Sequence, residues 1–250
     1  MTSVPPPIGG QPGWQPSVST SLDISVAVKW AWRKFRANTS TLVLNTLVLF
    51  VVGIGVYVAA FLIAHSVVPH GSLFLKVDER TGQIDGLGDY FALLGVLYLA
   101  LFVLVIPLSV LSAGFLRSGL RIADGETPGF FDMFTVKNAP RIMLTNVLIS
   151  MGSLVGMIFC YLPGLAFAVF AGYAIPILIE RGLGPVASIE ESFRLVKPNF
   201  WNAVLVAVVT GVIATVGMFA CLIGILVSAP VAMLIHIYAY RYFSGGRIEV

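Results

Sequence analysis

The chain has 250 residues, 58% of them hydrophobic and 11% charged, with a mean hydropathy of +0.94 and a formal net charge of +3. Soluble domains carry about 25% charged residues, so this composition cannot cover a water-facing surface and the solvent must be largely lipid. No basic cluster is dense enough for a nucleic-acid partner, and two cysteines, Cys160 and Cys221, are too few for a disulfide framework and lack metal-type spacing.

Residues 1–20 are low-complexity: Pro5, Pro6 and Pro7 favour polyproline II, and Gly9, Gly10 and Gly13 loosen the chain. A segment of this kind buries no core and is expected to be a disordered tail. It contains no apolar stretch of the signal-peptide type. Residues 21–36 read as an amphipathic helix, capped by Thr20 with Asp23 three residues on. Ile24, Val28, Ala31 and Phe35 share one face; Ser25, Lys29, Arg33 and Arg36 share the other. Trp30 and Trp32 suit headgroup depth.

Six spans follow, each near the ~20 residues that cross a hydrocarbon core. They are Leu42–Ala64; Tyr90–Ala113, continuing as helix to Asp124 where Gly125 can stop it; Ile142–Tyr161; a fourth reaching Ile179 after the break at Leu162-Pro163-Gly164; Trp201–Phe219; and Leu222–Tyr242. Each must be helical, because lipid cannot satisfy the N–H and C=O groups of an open strand. The turns between spans three and four and between five and six are so short that each pair is an antiparallel hairpin. In the loop after span one, Leu73–Val77 and Gln83–Ile84 could pair as a small β-hairpin.

Charge decides orientation. With the N-terminus in the cytoplasm, thirteen of the fifteen basic residues lie inside: Lys29, Arg33, Lys34, Arg36, Arg117, Arg121, Lys137, Arg141, Arg181, Arg194, Lys197, Arg241 and Arg247. Only Lys76 and Arg80 fall outside, and both chain ends are expected in the cytoplasm.

The chain also repeats itself. Ala31-Trp32-Arg33-Lys34-Phe35-Arg36-Ala37-Asn38 matches Ser192-Phe193-Arg194-Leu195-Val196-Lys197-Pro198-Asn199, and Phe134-Thr135-Val136-Lys137-Asn138 lies between them. Cys160 and Cys221 share the offset of Asn138 and Asn199, and Arg121, Arg181 and Arg241 close the even-numbered spans at even intervals. Three units result, about 21–125, 126–184 and 185–245, each an interfacial helix followed by a transmembrane hairpin. In the third, Val186, Ile189, Phe193 and Val196 form the apolar stripe opposite Glu190, Glu191, Arg194 and Lys197, with Pro185 opening the helix and Glu190–Arg194 spaced as an i,i+4 pair. These helices either lie on the inner leaflet, where Lys29, Arg33, Arg36, Arg194 and Lys197 contact lipid headgroups, or pack on the protein's own cytoplasmic face.

The run Ala174-Ile175-Pro176 through Ile179-Glu180-Arg181-Gly182-Leu183-Gly184-Pro185, with Ser192-Phe193-Arg194-Leu195-Val196-Lys197-Pro198-Asn199-Phe200-Trp201, is similar to a bacterial membrane family. It resembles YciC-like proteins, the membrane domain attached to some glycerophosphoryl diester phosphodiesterases, and actinobacterial proline- and glycine-rich membrane proteins. Pro163-Gly164 and Cys221-Leu222-Ile223-Gly224 fit the same pattern over about residues 20–245. The resemblance implies a multi-pass protein of the bacterial inner (plasma) membrane. In the diesterase members catalysis belongs to a separate soluble domain, so no catalytic residue carries over.

The inner parts of the spans hold no Asp, Glu, Lys or Arg. Intramembrane polar candidates are Asn45, Asn146, Asn202 and His236. The asparagines read as cross-helix hydrogen-bonding groups or as a polar path, and His236 as a bonded structural histidine or a proton relay. Pro107, Pro176 and Pro230 either kink their spans or break them around a site. Gly152, Gly156 and Gly211 suit close helix contacts. Cys160 and Cys221 could bridge or stay separate thiols, and His65, His70, Asp85 and Asp89 match no standard metal motif. There is no GxSxG, Walker loop or HExxH, and no cofactor is expected.

The expected fold is therefore all-α: a polytopic membrane protein of six transmembrane helices in three repeated interfacial-helix plus helical-hairpin units. The expected function is a non-enzymatic scaffold or accessory module, with membrane lipids and other membrane proteins as partners. The alternative is a transporter or flippase-like passage for lipid or amphiphilic small molecules.

Overall fold

The computed structural model describes residues 22–68, 76–77, 84–85, 87–135, 138–159, 161–219 and 221–249. Nine α-helices carry the described chain: α1 (Ile24–Ala37), α2 (Thr39–Val67), α3 (Leu87–Ala123), α4 (Ala139–Phe159), α5 (Tyr161–Ala171), α6 (Ala174–Arg181), α7 (Pro185–Val196), α8 (Phe200–Phe219) and α9 (Cys221–Ser244). Short 3₁₀ turns cover Phe130–Phe134 and Lys197–Asn199. The only strand pairing among the described residues is two residues long on each side, Lys76 opposite Asp85 and Val77 opposite Ile84. The rest of the expected hairpin lies outside the described residues.

Six helical stretches are long and apolar enough to cross a membrane: Thr39–Val67, Leu87–Ala123, Ala139–Ile158, Tyr161–Arg181, Pro185–Phe219 and Gly224–Ser244. Their outer faces carry Val51, Leu62, Tyr98, Leu99, Ile158 and Phe219 in the open. Water-soluble monomers rarely expose apolar patches of more than a few hundred Å², so these faces require lipid. The protein is a multi-pass membrane protein.

The spans pair as hairpins: α2 on α3, α4 on α5, and α8 on α9. Two hairpins close at glycines. A Cβ at Gly156 of α4 would sit 2.7 Å from the backbone of Gly164 on α5, and one at Gly217 of α8 would meet Ser228 and the Gly224 carbonyl of α9. Backbones approach this closely only where side chains are missing. α4 ends at Phe159 and α5 begins at Tyr161, so the boundary between spans three and four comes earlier than expected. Pro163 and Gly164 lie inside the first turns of α5, where proline's missing N–H costs nothing. Cys160 lies outside the described residues, and nothing is described of the Cys221 side chain.

The short elements gather at one end of the bundle, the basic end. Asp23 caps α1, with Oδ1 accepting from the Ser25 and Val26 N–H groups. The helix therefore starts at Ile24, and Thr20 lies outside the described residues. Ala27, Trp30, Ala31 and Phe35 bury one stripe of α1, chiefly against α9. The 3₁₀ turn at Phe130–Phe134 packs on α3 and α2, and α7 packs on α4, α5 and α6. The buried stripe of α7 is Ser188, Ser192 and Val196, while Val186 faces outward. This corrects the expected apolar stripe: small serines face inward because α7 lies against helix backbone. The main core, including Trp30, Tyr173, Leu234 and Tyr240, sits at this end.

Candidate functional site

The basic end is built from charged residues at helix ends. Gly125 stops α3 in the left-handed region, φ +86°, and the Glu126 N–H bonds back to the Arg121 carbonyl at 2.9 Å. This brings Glu126 within 2.6 Å of Arg121 Nε, and Asp132 pairs with the same guanidinium. Arg181, closing α6, pairs with Glu191 of α7 at 2.8 Å, and Arg194 takes the other oxygen of that carboxylate, also at 2.8 Å. The expected Glu190–Arg194 pair is thus replaced by an i,i+3 pair, because Glu191 faces both guanidiniums.

Arg241, closing α9, is 7% exposed and lies between two carboxylates. Nη2 is 2.6 Å from Asp124 Oδ1 and Nη1 is 2.6 Å from Glu180 Oε1. The Tyr240 hydroxyl donates to Glu180 Oε2 at 2.5 Å. One arginine so ties the basic ends of α3, α6 and α9. Burial pushes the Asp124 carboxyl above its ordinary value, against the pull of Arg241 and with the Glu180 charge adding to the rise. Beyond α9 the chain turns back: Glu249 N–H donates to the Ala123 carbonyl at 3.0 Å, and the Trp30 indole donates to the Glu249 carbonyl at 2.7 Å.

The fourth span is broken between α5 and α6, at Gly172 and Tyr173. Pro176 has no N–H for the Gly172 carbonyl four residues earlier. His236 Nε2 lies 3.2 Å from that carbonyl, and because a carbonyl only accepts, the ring is the Nε2–H tautomer there. The Ser192 hydroxyl of α7 donates to the Phe170 carbonyl at 2.6 Å and accepts from the Tyr173 N–H at 3.1 Å. The Tyr173 and His236 rings stack, centroids 4.4 Å apart. Sequence reasoning missed Ser192 and Tyr173. The signal available was Pro176 itself, which predicts an orphaned carbonyl one turn back. Pro107 and Pro230, by contrast, lie within continuous helices.

Of the other intramembrane candidates, Asn146 Nδ2 donates to the Ile142 carbonyl of its own helix at 3.0 Å. Asn202 is half-buried on α8. Asn45 is fully buried on α2, and neither Oδ1 nor Nδ2 has a partner among the described residues. Among the described residues neither Asn45 nor Asn146 shows a bond to another span, and the His236 ring stacks on Tyr173.

The candidate lipid-contacting residues divide between two helices. Lys29, Arg33 and Arg36 all point outward from α1, opposite its buried stripe, and none has a carboxylate within ion-pair distance among the described residues. Trp32, 47% exposed, flanks them. Lys197 is likewise exposed and unpaired at the end of α7, and Arg194 is tied to Glu191. Hydrogen bonds from the Ser25 hydroxyl and N–H and the Val26 N–H hold the Asp23 carboxyl below its ordinary value. Among the described residues no group of three His, Cys, Asp or Glu side chains could hold a metal ion, and His70 lies outside them.

No family model matches the chain. No solved structure matches it. It is 31% identical over 261 aligned residues to Uncharacterized protein Rv2560 of Mycobacterium tuberculosis, across 98% of this chain and 74% of that protein. Uncharacterized protein Mb2590 of Mycobacterium bovis aligns with the same identity and coverage. Likeness of this extent, running through every span, every hairpin turn and the basic end together, means that the chain belongs to the family of these mycobacterial proteins.

Proposed function

We propose that the protein is a non-enzymatic scaffold or accessory module of the bacterial inner membrane, its basic end in the cytoplasm, which holds anionic lipid or partner proteins through its short helices. The observation that carries this is α1. Its inner stripe is occupied by α9, yet Lys29, Arg33 and Arg36 stand on the outer face without carboxylate partners among the described residues. The guanidiniums that close α3, α6 and α9 are neutralised within the protein, and those of α1 are not. A basic helix that runs into a span at Thr39, with an exposed tryptophan beside its charges, is suited to headgroups at ~1 kcal/mol per basic residue. The proposed kinship with YciC-like membrane proteins agrees with a role that needs no catalytic group in the bundle.

The three-unit reading supports the same picture. The short element of each unit rests on the hairpin of the unit before it: α7 on α4–α5, the Phe130–Phe134 turn on α2–α3, and α1 on α9, which would close a ring. Asn38 and Asn199 make the same bond, Nδ2 to the carbonyl four residues back, at 3.0 and 3.1 Å. Asn138 departs from it, in the left-handed region at φ +65°. The alternative of a lipid passage expects a lateral opening or a pocket containing Asn45, Asn146, Asn202 or His236; of these, Asn146 and His236 bond to helix carbonyls.

The test uses the full chain in nanodiscs. Trp32 emission, isolated by difference against Trp32→Phe, should shift blue in phosphatidylglycerol discs relative to phosphatidylcholine discs. Replacing Lys29, Arg33 and Arg36 with Gln should remove the difference. Identical emission in both lipids would overturn the lipid-binding reading. Labelling at Lys34→Cys and Lys76→Cys from opposite sides tests the orientation.

A further inference from the structure

A second lipid-facing feature lies away from α1. Between α2 and α3 runs a groove of about 370 Å³, within the ~300–1,000 Å³ of small-molecule sites. Val52 and Val56 of α2, Leu104, Leu108 and Leu111 of α3, and Phe134 of the 3₁₀ turn line it. The other two hairpins have a helix of twelve or more residues packed on them, α7 on α4–α5 and α1 on α9. The short element of the second unit that packs on the α2–α3 hairpin is the five-residue turn Phe130–Phe134, whose Phe131 is 76% exposed.

The groove's lining is apolar throughout, and a cation lies beyond it toward the basic side. Arg117 lies one heptad beyond the lining residue Val110, about 10 Å along α3 and on nearly the same stripe. Its guanidinium donates to the Thr135 carbonyl, next in the chain to the lining residue Phe134. Arg117 has no carboxylate partner among the described residues, whereas Arg121, one turn on, has two. On α2, Asn45 lies one heptad from Val52 toward the same end, fully buried and outside the groove's lining.

We propose that this groove binds one anionic glycerophospholipid, an acyl chain along Val52, Val56, Leu104 and Leu108, and the phosphate on Arg117. The apolar lining at membrane depth sets the chain, and a lone guanidinium one heptad above it sets the charge. This site is separate from the cations of α1 and stands if those prove idle.

Native mass spectrometry of the full chain in detergent, titrated with phosphatidylglycerol or phosphatidylcholine, tests it. The wild-type protein should hold one phosphatidylglycerol, preferred about fivefold, the worth of one basic residue at a headgroup. Leu108→Trp, or Val52→Phe should the first variant lose its thermal transition, should abolish that binding. Phe102→Trp, on the exposed face of α3 outside the groove, should leave it unchanged. Arg117→Gln should remove the preference and keep the binding. Equal retention by Leu108→Trp and Phe102→Trp, no preference in the wild type, or a peptide in place of lipid would each overturn the proposal.

Discussion

Ser192 shows how much one side chain does at the basic end. A serine in the middle of α7 looks like a neutral surface residue, yet its hydroxyl replaces two ladder bonds lost at the break in span four. Ser192→Ala leaves the Phe170 carbonyl and the Tyr173 N–H unpaired in a buried place, and should cost about 1–3 kcal/mol in the thermal or denaturant unfolding of the detergent-solubilised protein. Two carboxyls titrate in opposite directions. Asp23 is held below its ordinary value by the hydrogen bonds that cap α1, so the cap is intact above the unfolded carboxylate pKa of ~3.9 and lost as pH falls through the lower folded value. Asp124 is pushed up by burial, so its contribution to stability falls as pH rises through the carboxylate range. Carbon-13 NMR titration of labelled aspartates should find the two on either side of the ordinary value. Asp23→Asn should keep the amide protection of Ser25 and Val26 at low pH, where the wild-type residue loses it.

At the scale of elements, the break in span four is a hydrogen-bond exchange between helices. Pro176 withholds an N–H from Gly172, and His236 of α9 supplies one. His236→Ala should destabilise the protein by about 1 kcal/mol, between the ~0.6 average for bonds inside membranes and the larger cost of an orphaned buried carbonyl. Pro176→Ala restores a local donor and should be nearly neutral. The double variant should recover most of the loss, so unfolding of all four proteins gives a coupling energy of the sign expected for one shared carbonyl. A cycle without coupling would mean that His236 and Pro176 do not compete for it. The helix starts were only partly legible. Proline at 185 and glycine at 125 marked their boundaries, because each acts through its own backbone. The start of α1 was misplaced, since Thr20 and Asp23 are both competent caps and the sequence does not say which one the backbone uses.

For the molecule as a whole, Arg241 is the joint between the three even-numbered spans, and its burial decides which change hurts more. Asp124→Asn with Glu180→Gln strands a buried guanidinium and should cost about 3–5 kcal/mol. Arg241→Met leaves two carboxylates that are 44% and 29% exposed, which water can reach, and should cost clearly less. Comparing unfolding of the two variants tests the order, and the reverse order would mean that Arg241 is hydrated in the folded protein. The interval of Arg121, Arg181 and Arg241 was visible in the sequence; that each meets a carboxylate was not, because the acids lie on other elements.

The sequence by itself determined that this chain is built for lipid, how many of its helices are long and apolar enough to cross it, and where its basic residues lie along the chain. Those properties follow from length, apolarity and charge along the chain, and the bilayer enforces them without reference to any contact. Only the tertiary structure decided that α1 packs on α9 and turns its cations outward, that serines form the buried face of α7, that His236 serves the carbonyl Pro176 leaves free, and that the α2–α3 hairpin keeps an open groove. Each depends on which surfaces meet, and inside lipid hydrophobicity does not choose between them; shape and unpaired backbone groups do.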